Sequence, residues 1–385
     1  MQGRTALPAF LLALTAASAP AQGPHASHRV PSVPREILER PIALGAGIGA
    51  AHDAVSTRSA RAQAFYNQGL AYLHSYAWID AARSFNEALR LDATLAMAHV
   101  GLNQANDELN EPAAARAALD RARALAVDAS AHDRRHIEIR TAQIAAGTDR
   151  GAFRAALDEA LVALPADVEL WLLRGMAESP DPADRGQGST ASSIRFYERA
   201  LSIHPDHFAA HHYLTHAYEN AGRIEDALEH AERYAQLAPA IPHAHHMRGH
   251  DLRRTGRIHE AIAAFRTAYD LETDPARAAG VPPEHDWHHQ HNLDLLAASY
   301  SYIGQVRAAE PFLRRSFDLP SPLVIQAFNK HEWPAFLLSR GRAGDALAAT
   351  GALTSSSAGV VRGVGHVMAG QALLALGRIA EAAEA

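Results

Sequence analysis

Two histidine triplets of the same form stand in the middle of the chain. HHYLTH runs from His211 to His216 and HHMRGH from His245 to His250, and the second starts 34 residues after the first. On a helix, residues four apart share a face with Cβ atoms about 5–6 Å apart. His212 with His216, and His246 with His250, are therefore two pairs able to chelate a metal ion, as helical His-x-x-x-His pairs do in zinc enzymes. Glu219 follows His216 by nearly one turn, His243 precedes His246 by the same interval, and His291 brings a further imidazole from a later segment. The chain holds 24 histidines and no cysteine. Disulfides, thiolate catalysis and sulfur-ligated zinc are thereby excluded, and any metal must be held by imidazole and carboxylate. Many imidazoles with one carboxylate suit zinc or copper, and suit iron or manganese less well. The number of imidazoles exceeds the needs of one zinc ion, so a dinuclear centre, or one ion with outer imidazoles, is the expectation. Glu219 could ligate the metal or act as general base on metal-bound water.

Other chemistries find little support. A net charge of −6 over 385 residues gives no basic field for nucleic acid. Neither a phosphate-binding glycine loop nor a G-x-S-x-G nucleophile elbow occurs. The cluster EHDWHH, with Asp286, His288 and His289, is weak evidence for acid–base catalysis on its own.

The N-terminus reads as an export signal over residues 1–21. Arg4 precedes an apolar stretch from Ala6 to Ala17, and Ala19-Pro20-Ala21 fits a small-residue cleavage site. That stretch is too short to span a membrane. A periplasmic or secreted protein is the expectation. Residues 22–59 are rich in Pro, Gly and Ala with weak periodicity, which predicts a linker or a poorly ordered lead-in.

From residue 60 onward apolar residues recur at helical spacing, and almost nothing reads as strand. FYNQGLAYLHSYAWIDAARSFNEALRLD supplies Gly69, Tyr72, Ala81, Phe85 and Ala88, and Ala115, Leu119 and Ala122 repeat the last three 34 residues later. AGRIEDALEHA, TGRIHEAIAAF, IGQVRAAEPFL, RGRAGDALAAT and LGRIAEAAEA share a turn glycine (Gly222, Gly256, Gly304, Gly341, Gly377) and a small residue five later. This pattern resembles the tetratricopeptide repeat, whose period is 34 residues. The resemblance covers 60–385 and implies an all-α superhelix of helical hairpins, an α-solenoid, with about eight units and a partial ninth. No C-terminal capping helix is evident. In such arrays first helices line a concave groove that usually takes peptides.

With Gly222 and Gly256 as turn residues, His211 and His245 fall at a position that packs between helices. The resemblance turns His212, His216, His246 and His250 toward the groove, and places His291 and Asp294 at the equivalents of His243 and His246. HHYLTHAYE, PHAHHMRGH and HQHNLDLL also resemble segments of exported bacterial tetratricopeptide proteins with H-H-Y-x-x-H-A-x-E, H-x-x-H-M-x-x-H and a later H-N. Those relatives often read Met-Pro-small-His where this chain has Arg248 and Gly249, which predicts a local difference in the turn. The expectation is an exported solenoid with a divalent metal held by His212, His216, Glu219, His243, His246, His250 and His291, with catalysis left open. The alternative is a metal-free scaffold that captures a peptide or protein partner in the groove.

Overall fold

A computed structural model describes residues 33–385, apart from residues 148, 179–190 and 322–323. The expected export signal, and the first part of the 22–59 segment, lie outside the described residues. After a short helix α1 (Arg35–Leu38), the chain forms hairpins of antiparallel helices. The first four pair α2 (Ala60–His74) with α3 (Trp78–Leu91), α4 (Ala96–Glu108) with α5 (Pro112–Leu125), α6 (Ala131–Ala146) with α7 (Arg150–Ala163), and α8 (Val168–Met176) with α9 (Ala191–Ile203). Next come α10 (Phe208–Asn220) with α11 (Ile224–Leu237), and α12 (Pro242–Arg254) with α13 (Ile258–Glu272). A short α14 (Pro275–Gly280) precedes α15 (Trp287–Tyr302) with α16 (Val306–Asp318). The array ends with α17 (Val324–Asn329), α18 (Glu332–Ser339) with α19 (Ala343–Thr354), and α20 (Gly359–Ala375) with α21 (Ile379–Glu384). No strand occurs among the described residues. The fold is an all-α solenoid of tetratricopeptide type.

The turns explain the glycines. Gly222, Gly256, Gly304, Gly341 and Gly377 all have φ between +72° and +79°. This left-handed conformation costs an L-residue about 1–2 kcal/mol and costs glycine almost nothing. It lets the next amide reach back to close the helix, as Arg223 N–H does to the Tyr218 carbonyl at 2.9 Å. Two hairpins meet the same demand without glycine. Tyr76 adopts φ +57° and Asn110 φ +58° at the equivalent turns. Asparagine tolerates that region, but an aromatic residue there stores strain that its surroundings must offset.

Hairpins pack by seating an aromatic ring of a second helix against glycine in first helices. A Cβ added to Gly69 or Gly101 would lie 2.6 Å or 2.3 Å from the Phe85 ring, and one added to Gly249 would lie 2.7 Å from Phe265. Gly249 is thus required by close approach. Helix α12 runs unbroken through Arg248 and Gly249, so the local turn difference expected there does not occur. Gly249→Val is expected to lower stability by about 1–3 kcal/mol through overpacking of the fully buried Phe265, read as a lower urea midpoint at unchanged m-value.

The lead-in corrects the expectation of a linker. Residues 33–59 are packed onto the array, with Val33, Ile37, Leu38, Ile48 and Ala51 buried in its largest core. Gln68 holds this strap at both ends of a short segment: its side-chain oxygen accepts from Gly45 N–H at 2.7 Å and its amide donates to the Ala43 carbonyl at 3.0 Å. Farther on, the Gly47 carbonyl accepts from Ala240 N–H at 2.7 Å. The Pro, Gly and Ala content that resembles a linker is what lets an extended segment lie this close to helices.

The superhelix also closes on itself. The turn joining α2 to α3 inserts against α10, α12 and α15, with Trp78 stacked on Trp287 at 5.2 Å between ring centroids. His74 Nδ1 accepts from the Tyr213 hydroxyl at 2.9 Å, and His74 Nε2 donates to Glu169 at 2.8 Å. The first hairpin therefore covers the concave side of the middle hairpins.

Candidate metal centre

Two first helices supply the converging donors. Helix α10 carries His212 and His216 on one face, and α12 carries His243 in its first turn. His212 Nε2 lies 2.9 Å from His243 Nε2 and 3.1 Å from His216 Nε2. One ligand atom from each of the three residues falls within 4.8 Å of the others.

The tautomer of His212 follows from its other nitrogen. Its Nδ1 lies 2.7 Å from the backbone carbonyl of His74. A carbonyl only accepts, so Nδ1 carries the proton and the neutral ring presents a bare lone pair at Nε2. A carbonyl fixing Nδ1–H in this way is how proteins commonly aim imidazole at a metal. Tetrahedral zinc with Zn–N bonds of about 2.0–2.1 Å places donors about 3.3 Å apart, so a small outward movement of the rings would admit an ion. Two further ring nitrogens here, His243 Nδ1 and His288 Nε2, are buried without a hydrogen-bond partner, and the two rings are 4.2 Å apart.

Burial sets the charge. It pulls His212, His243, His246 and His288 well below the ordinary imidazole value, and neighbouring imidazoles add to the effect. It lowers His216 and His291 to about 4. All six rings are neutral near pH 7, with lone pairs free to ligate.

The remaining sequence-selected residues extend along the same face. His246 Nδ1 lies 3.2 Å from the side-chain oxygen of Asn292, whose amide donates to the Phe265 carbonyl at 3.1 Å. That arrangement again puts the proton on Nδ1 and leaves Nε2 bare. The His291 ring is 5.0 Å from that of His246 and 6.5 Å from that of His250. At the far end His250 Nδ1 bonds the Glu219 carboxylate, which Arg254 also approaches at 3.3 Å. Glu219, His250 and Asp251 bring ligand atoms within 4.8 Å of one another. Burial alone would raise the Glu219 carboxyl, but His250 outweighs it and holds it low. Burial and the adjacent Glu219 charge push Asp251 up, so Asp251 keeps a proton.

The seven residues therefore form a ribbon of donors with two ends. His212, His216 and His243 converge at the end covered by the first hairpin, Glu219 and His250 meet at the other, and His246 and His291 lie between. Asp294 does not join them. Its carboxylate accepts from the Ser316 hydroxyl of α16, which turns it into its own hairpin. His211 bonds His230 at 2.8 Å and the Pro205 carbonyl at 3.1 Å, and His245 bonds the Pro239 carbonyl at 2.9 Å, so both stand outside the ribbon.

Three residues of the site escaped sequence reasoning. The Tyr76 ring lies 4.6 Å from His212, 5.2 Å from His243 and 6.2 Å from His288 between centroids, and seals the converging end. An aromatic residue standing five positions before Ala81, where other units place a turn glycine, was the available signal. His288 sits beside an insertion that blurs the helix start. His74, which orients His212 through its carbonyl, carried no signal of any kind.

Residues 185–249 match the family model described as tetratricopeptide repeat, a segment that contains the converging histidines. No curated protein sequence matches the chain. Among solved structures, yeast Tom70 is similar at 15% identity and a TM-score of 0.48, over 86% of this chain and 68% of that one. MamA (AMB-1) is similar at 22% identity and a TM-score of 0.34, over 48% of this chain and 90% of that one. PilW, described as a type IV pilus biogenesis factor, is similar at 14% identity and a TM-score of 0.33, over 67% of this chain and 92% of that one. Likenesses this distant leave function to be argued from the site.

Proposed function

We propose that the protein is an exported, metal-binding tetratricopeptide solenoid, with a zinc or copper ion held by His212, His216 and His243. The observation that carries this reading is the convergence of three neutral, buried Nε2 atoms, one of them fixed as a lone-pair donor by the His74 carbonyl. A donor set of imidazoles without carboxylate favours zinc and copper over iron and manganese. Glu219 and His250 lie at the other end of the ribbon, where they can hold a second ion or take up protons released on binding. Catalysis is not required by this arrangement.

A metal-free peptide scaffold has less in its favour. The concave face over α10 and α12 is taken by the chain's own turn, with Tyr76 and Trp78 both buried. Export rests on the N-terminal signal pattern. It is compatible with the finding that no helix among the described residues is long and apolar enough to cross a membrane.

The test is metal analysis of tag-free protein purified after growth with zinc or copper supplements. Near-stoichiometric metal is expected in the wild type, and loss of at least about tenfold in affinity in His212→Ala or His243→Ala, in line with the cost of disrupting ligation. Wild-type protein that carries no metal under any supplement would overturn the proposal.

A further inference from the structure

A second cluster lies away from the histidine ribbon, where the N-terminal strap crosses α6. His132 and His136 stand four residues apart on α6, with ring centroids 4.5 Å apart. His132 Nε2 lies 3.0 Å from Asp53 Oδ1 and 3.3 Å from Asp167 Oδ2, and His136 Nε2 lies 2.7 Å from that same Asp167 oxygen. One ligand atom each from Asp53, His132 and His136 falls within 4.8 Å of the others. Asp53, His136 and Asp167 are nearly fully buried, and His132 is about a quarter exposed.

Each donor is oriented from behind. The second oxygen of Asp53 accepts from the Tyr66 hydroxyl at 3.0 Å. Asp167 caps α8, its Oδ1 accepting from Leu170 N–H at 3.1 Å. His132 Nδ1 lies 3.2 Å from Asp133, a carboxylate that Ser56 N–H of the strap holds at 2.9 Å. A carboxylate on Nδ1, with Nε2 facing other donors, is the carboxylate–histidine–metal arrangement. Charge points the same way. Asp53, Asp133 and Asp167 bring three carboxylates around two imidazoles, and neutral imidazoles would leave a surplus of negative charge in a largely buried place. Such a surplus is costly unless a cation offsets it.

We propose that Asp53, His132, His136 and Asp167 form a second metal site, for a divalent cation of the zinc type, which fastens the strap to α6 and α8. Mixed nitrogen and oxygen donors distinguish it from the all-imidazole site on α10 and α12, and also fit iron(II) or manganese. Asp53 and His136 line an enclosed cavity of about 190 Å³, together with Tyr66, Arg140 and Glu169. An ion there would face that cavity. The site does not depend on the ribbon, since the two share no residue.

The experiment is a calorimetric zinc titration of metal-stripped, full-length protein, with hydrogen exchange of the strap amides followed in parallel. The expected result is two classes of zinc site in the wild type. Asp53→Asn with His132→Gln should lose one class and keep the other, and His212→Ala should do the reverse. Asp133→Asn, which touches no ion, should weaken the same class as Asp53 by about 10–100-fold. Zinc should slow exchange of the Ser56 amide in the wild type and in His212→Ala, and have no effect on it in the Asp53 variant. Melting curves show whether each variant is folded, and the wild-type exchange result stands even if one is not. Unchanged Ser56 exchange on adding zinc to the wild type would overturn this site alone, leaving a self-neutralised ion network as its role. Loss of the second class in His212→Ala would also overturn it.

Discussion

Tyr76→Ala is expected to destabilise the protein by about 3–5 kcal/mol, the range for emptying a large aromatic site in a core. Tyr76→Gly should cost about 1–2 kcal/mol less than Tyr76→Ala, because glycine escapes the left-handed penalty at φ +57° that alanine retains. This order reverses the usual one, in which glycine is the worse replacement. The argument rests on two facts. Tyr76 is 5% exposed, so its ring is lost from a packed environment, and its backbone occupies the conformation that five sibling turns assign to glycine. The Tyr76 ring also covers His212, His243 and His288. Both variants should therefore release bound metal faster than the wild type. Urea unfolding of the two variants side by side decides it. Alanine proving the milder substitution would contradict the reading that strain is stored at this turn.

Glu169→Ala is expected to cost about 3–5 kcal/mol near pH 7, the range for breaking a buried pair by removing one partner. Glu169 receives His74 Nε2–H at 2.8 Å and lies 3.7 Å from His207 Nε2, so it joins α8 both to the first hairpin and to the start of α10. Burial raises this carboxyl, but His74 and His207 outweigh burial and hold it well below the ordinary glutamate range. A carboxyl depressed in the folded state stabilises above its unfolded value of about 4.3 and loses that contribution as pH falls below it. The gap between wild type and Glu169→Ala should therefore be widest near neutrality and narrow toward about pH 3. Unfolding midpoints at several pH values measure that gap. A gap that grew on acidification would contradict the assignment.

The repeat itself was legible, because turn glycines and a small residue five positions later recur at a fixed period. Placement of His212, His216, His243, His246, His250 and His291 on one face followed from that register. Two things were beyond local pattern. His212 is oriented by a carbonyl 138 residues away, and no periodicity within a unit encodes how a superhelix closes on its first hairpin. The strap was misread for a related reason: Asp53 and Ser56 sit among residues chosen for close backbone approach, and their partners lie on α6, far along the chain. HDRRH, from His132 to His136, has the same four-residue spacing as the groove pairs. It lacks an echo in the next repeat, so the 34-residue search passed over it. Asp294 was misplaced because register fixes which residue occupies a position, and Ser316 across the hairpin offered its carboxylate a nearer partner.

The central claim concerns where a metal sits, and anomalous diffraction locates it most directly. Crystals of the tag-free protein grown with zinc or copper, with data collected on either side of the absorption edge of that metal, should show an anomalous peak among the Nε2 atoms of His212, His216 and His243, at about 2.0–2.1 Å from each for zinc. Well-ordered crystals with these three rings in place and no anomalous peak between them would contradict the account.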